Sequence, residues 1–433
     1  MAYKTPVIVC GILILALMLR LHNYAVYPQR GATSDEYAYA FLGTGLLTYH
    51  QPIGWSLIRN QPWTDIKLQG INFPVVQYFF DAPPLFGILV GVTSLLFGHW
   101  TFYDIDLSVI RLLPIGLSIL AGLLLYRIAD ILYGKKTALW SLLIYSVSPI
   151  MVVNQRIVVT ESLLTVFMLL VMLLTLQATR RVSHVLTLGI ISALALFTKI
   201  PGVFIALFSF IFLLRKKISK NYIFLFLATA GLGALCFIAY GIYFNPELFW
   251  KTVIDQGANR ELGPMTLWNM LASPMIVNKL YFDGWYLFGF ISFVLLGVQG
   301  KKHIHILLPA GLYVLTLFLM VTQNDLHGWY ALPLFPLMAI ASAVVITQVI
   351  QNPQWVSLLF FLTVGLSLIK YGYEENFGLT ATAFRILMGF MIVPVSVALI
   401  LKKSKAYQFV MNVSFYLFIF FSAVLTWLYV HPG

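Results

Sequence analysis

Apolar runs closed by short clusters of lysine and arginine recur along almost the whole chain. The first, Pro6–Leu19, follows Lys4 and is closed by Arg20. It resembles a secretory signal, but no small-residue cleavage pattern follows, so it reads as an uncleaved first span. Later runs end at Lys135-Lys136, Arg180-Arg181, Arg215-Lys216-Lys217 with Lys220, Lys301-Lys302, and Lys402-Lys403 with Lys405. Short basic loops mark the cytoplasmic face of a membrane protein.

Parity settles a point that hydropathy leaves open. Pro84–Phe97 is apolar, yet its 14 residues would reach only about 21 Å as a helix, short of a hydrocarbon core near ~30 Å. If it crossed, Lys135-Lys136 would fall outside; if it lies along the outer surface, every basic cluster falls inside. The expectation is an all-α polytopic membrane protein of about thirteen spans, near 5–22, 105–133, 137–153, 160–178, 184–199, 201–214, 221–243, 281–299, 303–322, 329–350, 355–371, 384–401 and 407–430. Residues 23–104 then form a large first external loop with juxtamembrane helices, and 245–280 a second. The chain reads as one integral membrane domain, 1–433, with no separate soluble domain. The spans within Ser183–Leu214 are the shortest, with a break expected at Lys199-Ile200-Pro201-Gly202 because proline lacks a backbone donor and biases its predecessor out of the helix.

Composition agrees: of 433 residues, 60% are hydrophobic and only 10% charged, which excludes an ordinary soluble domain. The formal charge of +12 would suggest nucleic acid in a soluble protein. Here fourteen of the 27 Lys and Arg fall on the cytoplasmic side, whereas Asp130 is the sole carboxylate there, so the excess is a topology signal and nucleic-acid binding is not supported. Cys10 and Cys236 both lie in apolar runs and offer neither a disulfide framework nor a thiolate metal site.

The candidate chemistry gathers at the other face. Asp35-Glu36 opens an expected helix just beyond the first span, where Ser34 or Asp35 could equally act as a cap. Asp81, Arg111, Arg156, Glu161 and Lys199 map to the same face. Ionisable groups near a bilayer are costly and are usually paired or functional. Arg156 and Glu161 could be a helix-orienting salt bridge, and Arg111 and Lys199 could snorkel to the interface. Asp325 and His327 form a further polar knot before an apolar segment. No phosphate-binding glycine loop or Gly-x-Ser-x-Gly elbow is present, so ATP hydrolysis and serine-hydrolase chemistry are unsupported. A carboxylate base beside cations suits displacement of a phosphate leaving group, and a membrane site suggests that the phosphate is on a lipid.

Several of these stretches, in this order, resemble the C-type membrane glycosyltransferases, which include protein O-mannosyltransferases and the aminoarabinose transferases that modify lipid A. They are the acidic pair, Tyr-Phe-Phe-Asp81-Ala-Pro-Pro-Leu, Arg111-Leu-Leu-Pro, Asn-Gln-Arg156-Ile-Val-Val-Thr-Glu161-Ser, Phe-Thr-Lys199-Ile-Pro-Gly and His327-Gly-Trp-Tyr330-Ala-Leu-Pro. The resemblance covers about residues 1–215 well and 320–345 more loosely. It implies a polyprenyl-phosphate sugar donor, Asp35 as catalytic base in an inverting transfer to an acceptor hydroxyl, and Glu36 orienting the acceptor or the base. Asp81, Arg111, Arg156, Glu161, Lys199, His327 and Tyr330 are the implied substrate-binding set. Two departures stand out: Asp81-Ala82 replaces a Glu-Lys pair, removing a lysine from the donor phosphate, and Trp329 stands where an arginine is usual. The absence of the additional soluble domains of some relatives points to a lipid or glycan acceptor. No cofactor is required by these motifs. Divalent-metal dependence stays open, with Asp81 and His327 offering oxygen and nitrogen ligands.

The expected setting is the cell membrane, multi-pass and in contact with membrane lipids, with the site outside the cytoplasm. Two other classes compete: a transporter or flippase of a lipid-linked saccharide, and a non-catalytic subunit of an envelope complex. Transporters commonly carry paired repeats, and no internal repeat is evident.

Overall fold

The computed structural model describes residues 4–31, 33–56, 61–68, 70–177, 181–258, 262–263, 265–272, 283–322, 328–374 and 378–428. Most of them are helical. In chain order the first helices are α1 Lys4–Leu21, α2 Asp35–Thr48, α3 Leu85–Leu96, α4 Leu107–Ile110, α5 Leu112–Tyr133, α6 Lys135–Val147, α7 Pro149–Asn154 and α8 Glu161–Leu176. They are followed by α9 Val182–Leu196, α10 Val203–Arg215, α11 Lys220–Phe244, α12 Pro246–Ala258, α13 Met265–Ala272, α14 Gly284–Val298, α15 Ile304–Met320 and α16 Leu334–Gln351. Two long helices, Ala381–Ile400 and Ser404–Leu428, end the described chain.

Six helical stretches are long and apolar enough to cross a membrane: Leu107–Tyr133, Lys220–Phe244, Lys301–Met320, Leu334–Gln351, Ala381–Ile400 and Ser404–Leu428. Seven more apolar helices have 10–17 residues. Length and composition alone therefore assign six crossings among the described residues, and a count of thirteen draws on the shorter helices as well.

Helix α16 lies at the centre. It is apolar nearly all round, and fifteen of its eighteen residues are buried, as expected of a helix enclosed on every side. Helices α5, α6, α14 and α15 pack around it. The junction between α5 and α6 turns at Gly134, whose φ of +82° suits a residue without a Cβ. The break expected near Pro201 is present: Lys199 is extended at φ −161°, and one turn, Ile200–Gly202, leads into α10.

The segment between α1 and α4 is a packed unit of its own. Helix α3 has 12 residues, about 18 Å of helix, and lies against α2. Gly43 meets Gly87 and Gly91 there with no room for a Cβ on any of the three. One element departs from the all-helical expectation: a three-stranded antiparallel sheet of order β1-β3-β2, formed by β1 Gly54–Trp55, β2 Trp63–Leu68 and β3 Ile71–Val76. Strands β2 and β3 pair from Trp63 with Val76 to Leu68 with Ile71. Gly70 at φ +87° closes the turn, the backbone region that two-residue hairpin loops require. Ile66, Leu68, Phe73 and Val75 point inward with Tyr37, Phe41 and Phe86. Helix α2, with the acidic pair at its start, is part of this small core.

Candidate active site

The neighbouring acids Asp35 and Glu36 have opposite surroundings. Glu36 is wholly buried and paired with wholly buried Arg111, whose Nε and Nη2 donate to Oε1 and Oε2 at 2.8 Å each. The Val158 amide donates to Glu36 Oε1 at 3.2 Å. Arg111 Nη1 donates to the carbonyls of Tyr24 and Pro28 at 2.7 and 2.8 Å. Both groups are consumed in tying α2, the 24–28 segment and the Val158 turn together.

Two further arginines do similar work. Arg156, 2% exposed, donates to the carbonyls of Leu19 and Tyr27 at 2.7 and 3.1 Å; its bonds go to the chain leaving α1, and no ion pair with Glu161 forms. Arg20, which in the sequence merely closes the first run, is wholly buried. It donates to Gln155 Oε1 at 2.6 and 3.1 Å and to the carbonyls of Ala16, Tyr145 and Ser146. An arginine at the end of an apolar helix is costly unless satisfied, and that cost was the available signal for Arg20.

Asp35 begins α2. Ser34 makes no side-chain cap; instead the Asp35 amide donates to Thr33 Oγ1 at 3.1 Å, so the Asp35 carboxylate is not spent on capping its helix. The residue is partly buried. Loss of solvent pushes its carboxyl up to about 6, with nearby Lys199 opposing the rise and Glu161 and Glu36 adding to it. Across the gap, Asp81 accepts from Ser56 Oγ at 2.6 Å. Burial pushes its carboxyl up to about 7, the Ser56 bond opposing and the charge of Asp35 adding. Either carboxyl can therefore exchange a proton near neutrality, a condition typical of functional carboxylates.

Lys199 supplies the positive charge. Its Nζ donates to Glu161 Oε1 at 2.6 Å and sits 4.5 Å from the centre of the Tyr330 ring. Glu161 also accepts from Thr160 Oγ1 at 3.0 Å. The extended backbone at Lys199, forced by the proline break, turns this side chain toward a cavity of about 310 Å³ lined by Asp81, Lys199, Tyr330, Pro201, Leu319 and Gln256 among others. Helix α12 borders it, and Gln256 of that helix donates to the Asp81 carbonyl at 3.1 Å. Phe249 of α12 packs with Phe80 and Phe237.

Asp35, Asp81, Glu161, Lys199 and Tyr330 thus share one neighbourhood, while Glu36, Arg111 and Arg156 are turned into the fold. His327 and Asp325 lie outside the described residues. Among the described residues no three His, Cys, Asp or Glu side chains converge as a metal site. Ser56 and Gln256 were missed in the sequence because each meets Asp81 only through packing between distant segments, whereas Thr160 is the chain neighbour of Glu161.

Comparison with the curated proteins by sequence finds no match. The model of the dolichyl-phosphate-mannose-protein mannosyltransferase family matches residues 81–243. Among solved structures, ArnT from Cupriavidus metallidurans bound to undecaprenyl phosphate superposes with a TM-score of 0.57 at 14% identity, covering 98% of this chain and 78% of that one. The chain therefore shares the fold of the C-type membrane glycosyltransferases. The archaeal oligosaccharyltransferase AglB from Archaeoglobus fulgidus, in complex with an inhibitory peptide and a dolichol-phosphate, matches at a TM-score of 0.50 and 11% identity, over 100% of this chain and 57% of its own. Within this glycosyltransferase fold the family match contains Asp81, Arg111, Arg156, Glu161 and Lys199, and leaves Asp35 and Tyr330 outside its span.

Proposed function

We propose that the chain transfers a sugar from a polyprenyl-phosphate donor to the hydroxyl of a lipid or glycan acceptor at the external face of the cell membrane, with inversion. The observation that carries this reading is the division of labour within the acidic pair: Glu36 is paired with Arg111, while Asp35 lies in the field of Lys199, a wall residue of the cavity.

Asp35 takes the proton of the acceptor hydroxyl. The acceptor oxygen attacks the anomeric carbon from the side opposite the phosphate, the bond from that carbon to the phosphate oxygen breaks, and the polyprenyl phosphate leaves with the electron pair. A carboxyl held near about 6 is mostly ionised at neutral pH yet more basic than an ordinary aspartate, the compromise a general base needs. The Lys199 ammonium has three N–H groups and Glu161 takes one, so two remain for the phosphate oxygens as charge builds on them. Leu319, Met320, Val321 and Ile200 give the cavity the apolar wall that the first isoprene units call for. Arg111 is committed to Glu36 and two carbonyls and Arg156 gives both terminal nitrogens to carbonyls, and neither lines the cavity, so phosphate recognition narrows to Lys199.

The test is mass spectrometry of envelope lipids and glycans from cells with and without the gene. Loss of one hexose or pentose from an envelope lipid or glycan, restored by the wild-type chain, supports the reading. Unchanged glycans, with a lipid-linked saccharide accumulating on one side of the membrane, would favour a transporter instead.

A further inference from the structure

Helices α10 and α15 pack side by side and carry the cavity lined by Lys199 and Asp81 at one end, where Pro201 precedes α10 and Met320 completes α15. A second cavity, of about 270 Å³, lies at the opposite end of the same pair. Thirteen residues of α10, about 20 Å of helix, separate the two. Phe208, Phe212 and Leu308 form its wall, and Arg215, Lys216 and His305 its polar lining.

No carboxylate lines this second cavity. Lys216 Nζ lies 5.3 Å from the Phe212 ring centre, and the His305 ring is 5.8 Å from the same ring. Arg215, Lys216 and His305 all line the one volume. The first turn of α15, which carries His305, adds the positive end of a helix dipole. Two cations at one hollow, Arg215 and Lys216, repel each other unless an anion joins them, and a guanidinium beside an ammonium, with an imidazole as a further polar partner, suits phosphate oxygens. Free phosphate would satisfy the cations and leave Phe208, Phe212 and Leu308 uncovered. A lipid phosphate satisfies both, its chains lying along the aromatic wall.

We propose that this cavity binds the phosphodiester headgroup of an anionic glycerophospholipid, a site separate from the sugar-transfer site and placed where basic pockets between membrane helices meet lipid headgroups. The test is native mass spectrometry of the full chain in detergent, titrated with phosphatidylglycerol or phosphatidylcholine. Phosphatidylglycerol should stay bound at concentrations where phosphatidylcholine does not. The combined Arg215→Gln, Lys216→Gln and His305→Gln variant should bind it at least tenfold more weakly, and Lys216→Gln alone, at an exposed position that leaves folding intact, severalfold more weakly. A Lys402→Gln, Lys403→Gln variant, which removes a basic pair elsewhere, should bind as wild type. Wild-type phosphatidylglycerol binding by Lys216→Gln and by the combined variant overturns the proposal, as does equal loss in the Lys402, Lys403 variant. Displacement of the lipid by inorganic phosphate at equal concentration would assign the cavity to free phosphate and overturn the lipid assignment.

Discussion

Two carboxylate–cation pairs stand near the same loop and do different things. In the Glu36–Arg111 pair both side chains are 0% exposed, and two parallel bonds are joined by bonds to two carbonyls and one amide. The Glu161–Lys199 pair has one contact, and its lysine is 17% exposed at a cavity wall. In the sequence the two pairs look alike, an acid and a base near the outer end of spans. The difference is saturation. A cation with four of its five N–H groups spent inside the protein holds the fold, and one with most of its donors left over beside a hollow can hold a substrate.

The first way to break this comparison is to strand a charge. Arg111→Ala leaves Glu36 buried without its partner, which typically costs about 3–5 kcal/mol. The expected outcome is loss of folded protein after extraction, read by size-exclusion chromatography and thermal unfolding. A well-folded Arg111→Ala variant with weakened donor binding would move Arg111 back into the substrate site.

A smaller effect should follow from neutralising the second pair without stranding either member. Glu161→Gln combined with Lys199→Gln keeps hydrogen-bonding groups in place and removes the cation. A charge-assisted contact is worth about 1.5–3 kcal/mol, so polyprenyl-phosphate affinity should fall about 10- to 100-fold while the unfolding temperature changes little. Unchanged affinity would leave Lys199 without a role in phosphate binding.

A third and milder test uses pH. Asp35 must be ionised to accept a proton, and its carboxyl sits near about 6. Turnover should therefore fall on acidification through that value, roughly tenfold between pH 7 and pH 5. Stability should move the other way. Asp35 and Asp81 bind protons more tightly folded than unfolded, so their contribution is fully present below the ordinary carboxylate range and is lost as pH rises through about 6 and 7. Asp81→Asn should accordingly gain stability relative to wild type above pH 7. A rate flat from pH 7 to pH 5, or an Asp81→Asn variant no better at pH 8 than at pH 4, would contradict these assignments.

The helices were legible because a membrane helix writes itself as an apolar run, and the break at Lys199 because proline has one physical meaning there. The three-stranded sheet was not legible: in Trp63-Thr-Asp-Ile-Lys-Leu only Ile66 and Leu68 are buried, too short an alternation to separate from loop. Candidate residues could be collected by membrane face, but sorting them needed contacts that sequence distance hides. Glu36 and Arg111 are 75 residues apart, and Arg20 meets Gln155 across 135. Nothing local to Arg156 says that its donors reach back to Leu19 and Tyr27.

The central claim is that Asp35, and not its saturated neighbour, takes the acceptor proton. It is tested most directly by single-turnover sugar transfer with Asp35→Asn, measured beside donor binding on the same preparation. Asparagine keeps the size and removes the base, and a positioned base is worth ~10²–10⁴-fold. The account predicts a folded variant that binds polyprenyl-phosphate sugar with near wild-type affinity and transfers it at least 100-fold more slowly; transfer at the wild-type rate would contradict it.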